Sequence, residues 1–106
     1  MKRYYALKDN GQKENFLKAE LYYSKGGLNV WTYKTEPRGY YLSVTPVERG
    51  NGMEGFTMFT GIKILVKEVS RKSEKAEAEA EAMFDQVVWE LINAVLSKYG
   101  YELETE

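Results

Sequence analysis

The feature that most constrains this chain is a change of period at Gly61. Before it, large apolar residues alternate with polar ones in short runs; after it, they recur at intervals of three and four. ENFLKAELYY (14–23) places Leu17, Ala19, Leu21 and Tyr23 on one face and Phe16, Lys18, Glu20 and Tyr22 on the other. KRYYALK (2–8), LNVWTYKT (28–35) and YYLSVTPVER (40–49) also have strand composition. Turn signals separate the runs: Asp9-Asn10-Gly11, Ser24-Lys25-Gly26-Gly27 and Glu36-Pro37-Arg38-Gly39. Short links between sequential strands predict a four-stranded antiparallel meander over residues 2–49. Pro46 has no N–H for a ladder, which puts that end of the fourth strand at an edge or a bulge.

Past Gly61, Ile62, Leu65, Val66 and Val69 sit at i, i+3, i+4 and i+7, and only Ile64 falls outside the pattern. This spacing predicts a short helix over 61–72. EKAEAEAEA then has high helix propensity, with Ser73 as an N-cap and Glu74 and Glu77 in the dipole-favoured first turn. A long helix is expected over 74–98, ended by Gly100. The expected fold class is therefore α+β in one domain, 1–106. Its parts are a sheet (2–49), a Gly-rich loop (50–60) and a helical part (61–99).

Gly50-Asn51-Gly52-Met53-Glu54-Gly55 matches G-x-G-x-x-G. A dinucleotide site also needs a helix opening at the last glycine and a later parallel strand bearing an acid. Neither follows here, so the match is chance.

Composition narrows the chemistry. With 106 residues, 43% of them hydrophobic, the chain can build one real core. It has no cysteine and no histidine, which removes thiol nucleophiles, Ser–His or Cys–His catalysis and the usual zinc ligands. No pair of carboxylates stands apart from solvated surface. The expectation is a protein that is not an enzyme and has no cofactor, metal or small-molecule substrate. No run approaches the roughly 18 apolar residues of a membrane span. Met1-Lys2-Arg3 leads straight into strand-like sequence rather than a signal peptide, so the expected location is cytoplasmic.

Charge divides sharply along the chain. Residues 1–73 carry 13 Lys/Arg against 7 Asp/Glu, a net of +6, whereas 74–106 carry 2 against 9, a net of −7. Such asymmetry fits either an anion-binding half beside an acidic half or a sheet and helix that neutralise each other.

Two surfaces carry more apolar side chains than a half-solvated fold needs. In 25–44, Leu28 and Val30 point one way and Trp31 and Tyr33 the other; Tyr40 and Leu42 oppose Tyr41 in the same manner. Tyrosine pairs at 4–5, 22–23 and 40–41 each send one ring to each face. In the long helix, Gln86, Glu90, Asn93 and Ser97 form one narrow polar stripe, and nearly everything else from Met83 to Tyr99 is apolar. An ordinary surface helix has an apolar stripe only a little over 100° wide. This helix is expected to be buried on two sides, by the sheet and by either the short helix or a second subunit.

The run KAELYYSKGGLNVWTYKTEPRGYYLSVTPVERG, continuing to GIKILVKEVSRKSEKA, resembles small accessory proteins of conjugative and phage-like mobile elements of Gram-positive bacteria. That resemblance brings no catalytic or binding residues. Four antiparallel strands followed by a long helix are also similar, in topology alone, to the Whirly and transcriptional-cofactor type of single-strand DNA binders.

Two functional readings follow. In the first, the chain is a homo-oligomeric interaction module that uses its aromatic face and apolar helix, with Trp89, Ile92 and Leu96 at the interface. In the second, Lys2, Tyr4, Phe16, Lys18, Tyr22, Trp31, Tyr33 and Tyr41 line a face that stacks and neutralises single-stranded nucleic acid.

Overall fold

A computed structural model describes residues 1–8, 14–30, 32–50, 53–56 and 61–104, with backbone alone at 49–50 and 53–56. The Asp9-Asn10-Gly11 turn, Asn51-Gly52 and Trp31 lie outside them. The architecture is α+β: an antiparallel sheet with one long helix against it. The strands are β1 (Lys2–Ala6), β2 (Phe16–Ser24), β5 (Gly39–Gly50), β6 (Met53–Phe56) and β7 (Ile62–Glu68). Between β2 and β5 the chain makes a separate two-stranded ribbon, β3 (Gly27–Asn29) and β4 (Lys34–Glu36). Helix α1 spans Glu74–Tyr99, and among the described residues it is the only helix. It is not apolar enough over its length to cross a membrane.

β5 is the axis of the sheet. One edge pairs with β2 from Gly39 to Val47, and the other is shared by β7, over Gly39–Val44, and β6, over Val47–Gly50. The hand-over between β6 and β7 falls opposite Pro46. The Val47 carbonyl accepts from Asn15 N–H on the β2 side at 3.1 Å. Neighbouring residues of a strand turn their N–H groups to opposite edges, so the Pro46 nitrogen faces the other partner. That edge has no donor there to offer, and the pairing breaks where the donor is missing.

The short helix expected over 61–72 is not there: Ile62–Glu68 is strand β7, hydrogen-bonded to β5. Ile62, Ile64 and Val66 alternate onto the helix-covered face and pack against the core. Tyr40 pairs with Lys67 and Tyr41 with Leu65, which leaves Val66 as the extra residue of a β-bulge. Leu65 lies opposite Tyr41 on the far face. A strand with apolar residues on both faces and a bulge reproduces helical spacing, and Ile64 was the residue that broke the match. LNVWTYKT likewise joins no strand of the main sheet; it supplies the ribbon.

The helix follows from its caps. Ser73 is extended (φ −151°) and its hydroxyl accepts from the Ala76 N–H at 3.1 Å. At the other end Gly100 is left-handed (φ 70°), and Tyr101 N–H donates to the Leu96 carbonyl at 3.1 Å. Ala76, Ala80, Phe84, Val88, Leu91, Ile92 and Val95 form one buried stripe against Leu17, Ala19 and Leu21 of β2 and Leu42 and Val44 of β5. Within the chain one side of α1 is buried, because the segment expected as a short helix over its second side lies in the sheet. Tyr40, fully buried, ties the layers together: its hydroxyl donates to the Ser73 carbonyl at 3.1 Å, at the first turn of the helix.

The tyrosine pairs meet across β2 and β5. Tyr23 packs on Tyr40 on the helix side (centroids 5.5 Å apart), and Tyr22 stacks on Tyr41 on the open side (5.9 Å, 20° between planes). Past the helix, residues 102–104 return along β1, with Lys8 N–H donating to the Glu102 carbonyl and Glu104 N–H to the Ala6 carbonyl.

Gly39 tests the reassignment of 61–72. A Cβ there would collide with the Lys67 carbonyl oxygen and come within 2.8 Å of Leu65 Cδ1. Gly39→Ala is expected to cost about 1–3 kcal/mol in urea unfolding. If residues 62–68 were helical and unpaired with β5, the substitution would be close to neutral.

Candidate functional site

The most unusual surface is the β3–β4 ribbon. Gly26 has φ 74°, and a Cβ on it would meet the Glu36 carbonyl oxygen at 2.6 Å and the Arg38 nitrogen at 2.7 Å, so glycine is needed where the ribbon leaves β2. Asn29 organises the interior. Its backbone carbonyl accepts from Tyr33 N–H at 2.8 Å, its side-chain oxygen from Thr32 N–H at 3.3 Å, and its amide donates to Glu36 Oε1 at 2.9 Å. At the base, Arg38 donates to the Lys25 and Ser70 carbonyls at 3.3 and 2.9 Å.

The loop beyond Asn29 is strained and apolar. Asn29 pairs with Lys34, which leaves a four-residue connection. Tyr33 within it is left-handed (φ 57°), a conformation that costs a residue with a Cβ about 1–2 kcal/mol. Tyr33 is 83% exposed, Val30 65% and Leu28 64%, so no burial of these side chains offsets that strain. Lys25 and Lys34 stand exposed beside them.

The ribbon leans over one corner of the sheet face that the helix leaves open. There Glu36 accepts from Lys63 of β7 at 2.9 Å, and the Tyr41 hydroxyl donates to the Pro37 carbonyl at 2.6 Å. Lys63 Nζ sits 5.3 Å from the centroid of the Tyr41 ring. Tyr41 is only 4% exposed. Burial pushes the phenols of Tyr22 and Tyr41 upward. The hydrogen bond from Lys63, and after it that from Asn29, holds the Glu36 carboxyl below the usual carboxylate range; the same contact raises Lys63.

The register places the sequence-predicted residues. Lys2, Tyr4, Phe16, Lys18, Tyr22 and Tyr41 share the open face: Tyr4 lies directly opposite Lys18, and Tyr22 opposite Tyr41. Lys2 pairs with Glu20 at 3.5 Å, and Tyr41 is covered, so neither presents a free group. Tyr33 is not on this face but on the ribbon, and Trp31 lies outside the described residues. Of the helix residues, Ile92 is fully buried in the chain's own core and Leu96 packs half-buried against it. Trp89 remains 48% exposed, one edge against the Tyr5 ring at 5.4 Å.

Leu28, Val30, Glu36 and Lys63 were absent from the sequence-based set. Lys63 was hidden by the helical reading of 61–72, and Leu28 and Val30 by their resemblance to a core strand. The signal for the ribbon was Gly26-Gly27 followed, within ten residues, by a second tight turn at Pro37, which leaves too little chain for a full strand pair. Among the described residues no group of three or more acids is arranged to hold a metal. Comparison with protein families, with curated proteins and with solved structures returns no match.

The Glu36–Lys63 pair gives a pH dependence of known sign. A carboxyl whose folded value is lowered contributes stability above its ordinary range, and that contribution is lost as pH falls through the lowered value. Glu36→Gln is expected to be less stable than the parent near neutral pH. The gap should close as pH falls below the ordinary carboxylate range and through the lowered value, read from urea midpoints. A constant gap would mean that the charge on Glu36 does not hold the ribbon down.

Proposed function

We propose that this chain is a non-catalytic, self-associating interaction module whose contact element is the β3–β4 ribbon. The observation that carries the reading is the exposed trio of Leu28, Val30 and a left-handed Tyr33 on a ribbon braced at its base. Exposed apolar groups grouped on one projection mark association surfaces, and aromatic residues are the usual anchors there. Backbone strain concentrates where a side chain is needed for binding rather than for folding. The absence of histidine and cysteine supports the non-catalytic part.

This reading predicts a trade-off at one residue. Tyr33→Gly relieves the left-handed strain and should raise unfolding stability by up to about 1 kcal/mol. It removes the anchor and should weaken self-association in sedimentation velocity. A variant that is more stable yet associates as the parent does defeats the ribbon as contact element.

A second reading is weak, sequence-tolerant binding of single-stranded nucleic acid on the β1–β2 part of the open face. What favours it is the placement of Tyr4 beside Lys18, with Phe16 further along the same face. Tyr41 and Lys2 no longer contribute, which makes the surface smaller than the eight residues suggested. Binding of a mixed-sequence strand should then strengthen at low salt, and Lys18→Ala should reduce the slope of log K against log salt by about 1. A labelled mixed-sequence strand whose fluorescence anisotropy stays unchanged at low salt removes this reading.

A further inference from the structure

We infer that the outer edge of β7 pairs with the same edge of a second copy, antiparallel and about a two-fold axis at Ile64. This contact is separate from the ribbon and goes beyond it. Among the described residues no strand lies beyond β7, whose inner partner is β5. A strand edge carries unpaired N–H and C=O groups, and another extended chain is what satisfies them. On the opposite side of the sheet, residues 102–104 close β1 from Ala6 to Lys8. Among the described residues β7 has no such cover, and its side chains show it. Ile62, Ile64 and Val66 pack on the core yet stay half-buried. Leu42 and Val44, their pairing partners on β5, are fully buried. Lysines are a usual guard of such edges. Here Lys63 is held by Glu36 at 2.9 Å on the open face, and Lys67 by Glu79 of the helix at 2.6 Å. Both ammonium groups are drawn over the faces of the sheet, and neither lies across its edge.

The residues of β7 select the partner and the register. Centred on Ile64, antiparallel pairing sets Ile64 against its own copy and Ile62 against Val66 twice, all on the helix side. It also puts Lys63 opposite Leu65, so no like charges meet. Centring on Lys63 would oppose two ammonium groups. Centring on Leu65 would run the ladder straight into the bulges of both copies at Val66. With Ile64 on the axis, those bulges fall at the two ends of the paired stretch. Directly opposed residues of antiparallel strands share a face, so both helices lie on one side of the joined sheet and both ribbons on the other. The contact is isologous and closes as a dimer, which leaves each ribbon available for its own contact.

The chain has no cysteine, so an introduced one reports its own neighbours. Ile64→Cys should form a disulfide-linked dimer under mild oxidation, seen on a non-reducing gel, well above Ser97→Cys on the exposed side of the helix. Ile64→Lys sets two cations against each other and should lose at least about tenfold in association, read by sedimentation velocity. The double variant Ile64→Cys/Val30→Asp separates this contact from the ribbon. It should still crosslink, while species larger than a dimer are lost. Loss of the crosslink in that variant assigns the dimer to the ribbon and overturns the edge pairing alone. Ile64→Cys that crosslinks no better than Ser97→Cys, or a folded Ile64→Lys protein that associates like the parent, also overturns the edge pairing and leaves the ribbon reading standing. A parent that stays monomeric overturns both.

Discussion

Everything in this molecule is arranged around a strand that has partners on both of its edges. β5 runs for twelve residues, and its backbone groups are satisfied by β2 on one side and by β6 and β7 on the other. A strand in that position can leave its core-facing residues, Tyr40, Leu42 and Val44, fully covered by the helix. Hydrogen-bonding on both edges also fixes its register, so a slip by one residue would turn those three toward solvent. Its one defect, the missing donor of Pro46, is placed where the outer partner changes over. The break is accommodated at a point where no continuous strand has to pass.

Half of the fold was legible because the physics that specifies it is local. Ser73 and Gly100 are caps whose chemistry acts within a few residues, and the alternation of Leu17, Ala19 and Leu21 identifies a buried face without knowledge of its partner. The error at 61–72 has a different origin. Leu65 and Val66 are adjacent apolar residues that ordinary alternation places on opposite faces, and a bulge at Val66 then brings Lys67 opposite Tyr40. A bulge is a property of two strands together, and one segment read alone cannot reveal it. The sites divide in the same way. Placement of Tyr4, Lys18 and Tyr22 on one face followed from period two, whereas the burial of Tyr41 depends on the Pro37 turn just ahead of its own strand and on Lys63 of β7.

The open face is thus only partly open. The ribbon answers why aromatic residues occur on both sides of the sheet: Tyr22 and Tyr41 are covered at one corner, by a stacked ring, an ammonium and a backbone carbonyl. The division of charge along the sequence is likewise partly internal. Arg3 pairs with Asp85 and Lys67 with Glu79, both bridging sheet to helix. Among the described residues, exposed lysines remain on the ribbon (Lys25, Lys34) and exposed glutamates on the helix (Glu74, Glu77, Glu90). Local imbalance of that kind suits a short-range contact better than the long phosphate track of a nucleic-acid groove.

The return of residues 102–104 along β1 has a consequence for how the chain assembles. Leu7 and Leu103 are bridge partners, so the first strand is completed by residues nearly a hundred positions later. Contacts this distant in sequence are the last to be rewarded, because the loop between them must close first. During synthesis, β1 can pair with β2 early, yet its outer edge stays bare until the tail emerges. For that interval, Ala6 and Lys8 offer unpaired backbone groups to any neighbouring strand, and the tail competes with other chains for them. Crowded, rapid expression would therefore be the condition under which this protein is most exposed to mispairing, even though its finished form has that part of the edge closed.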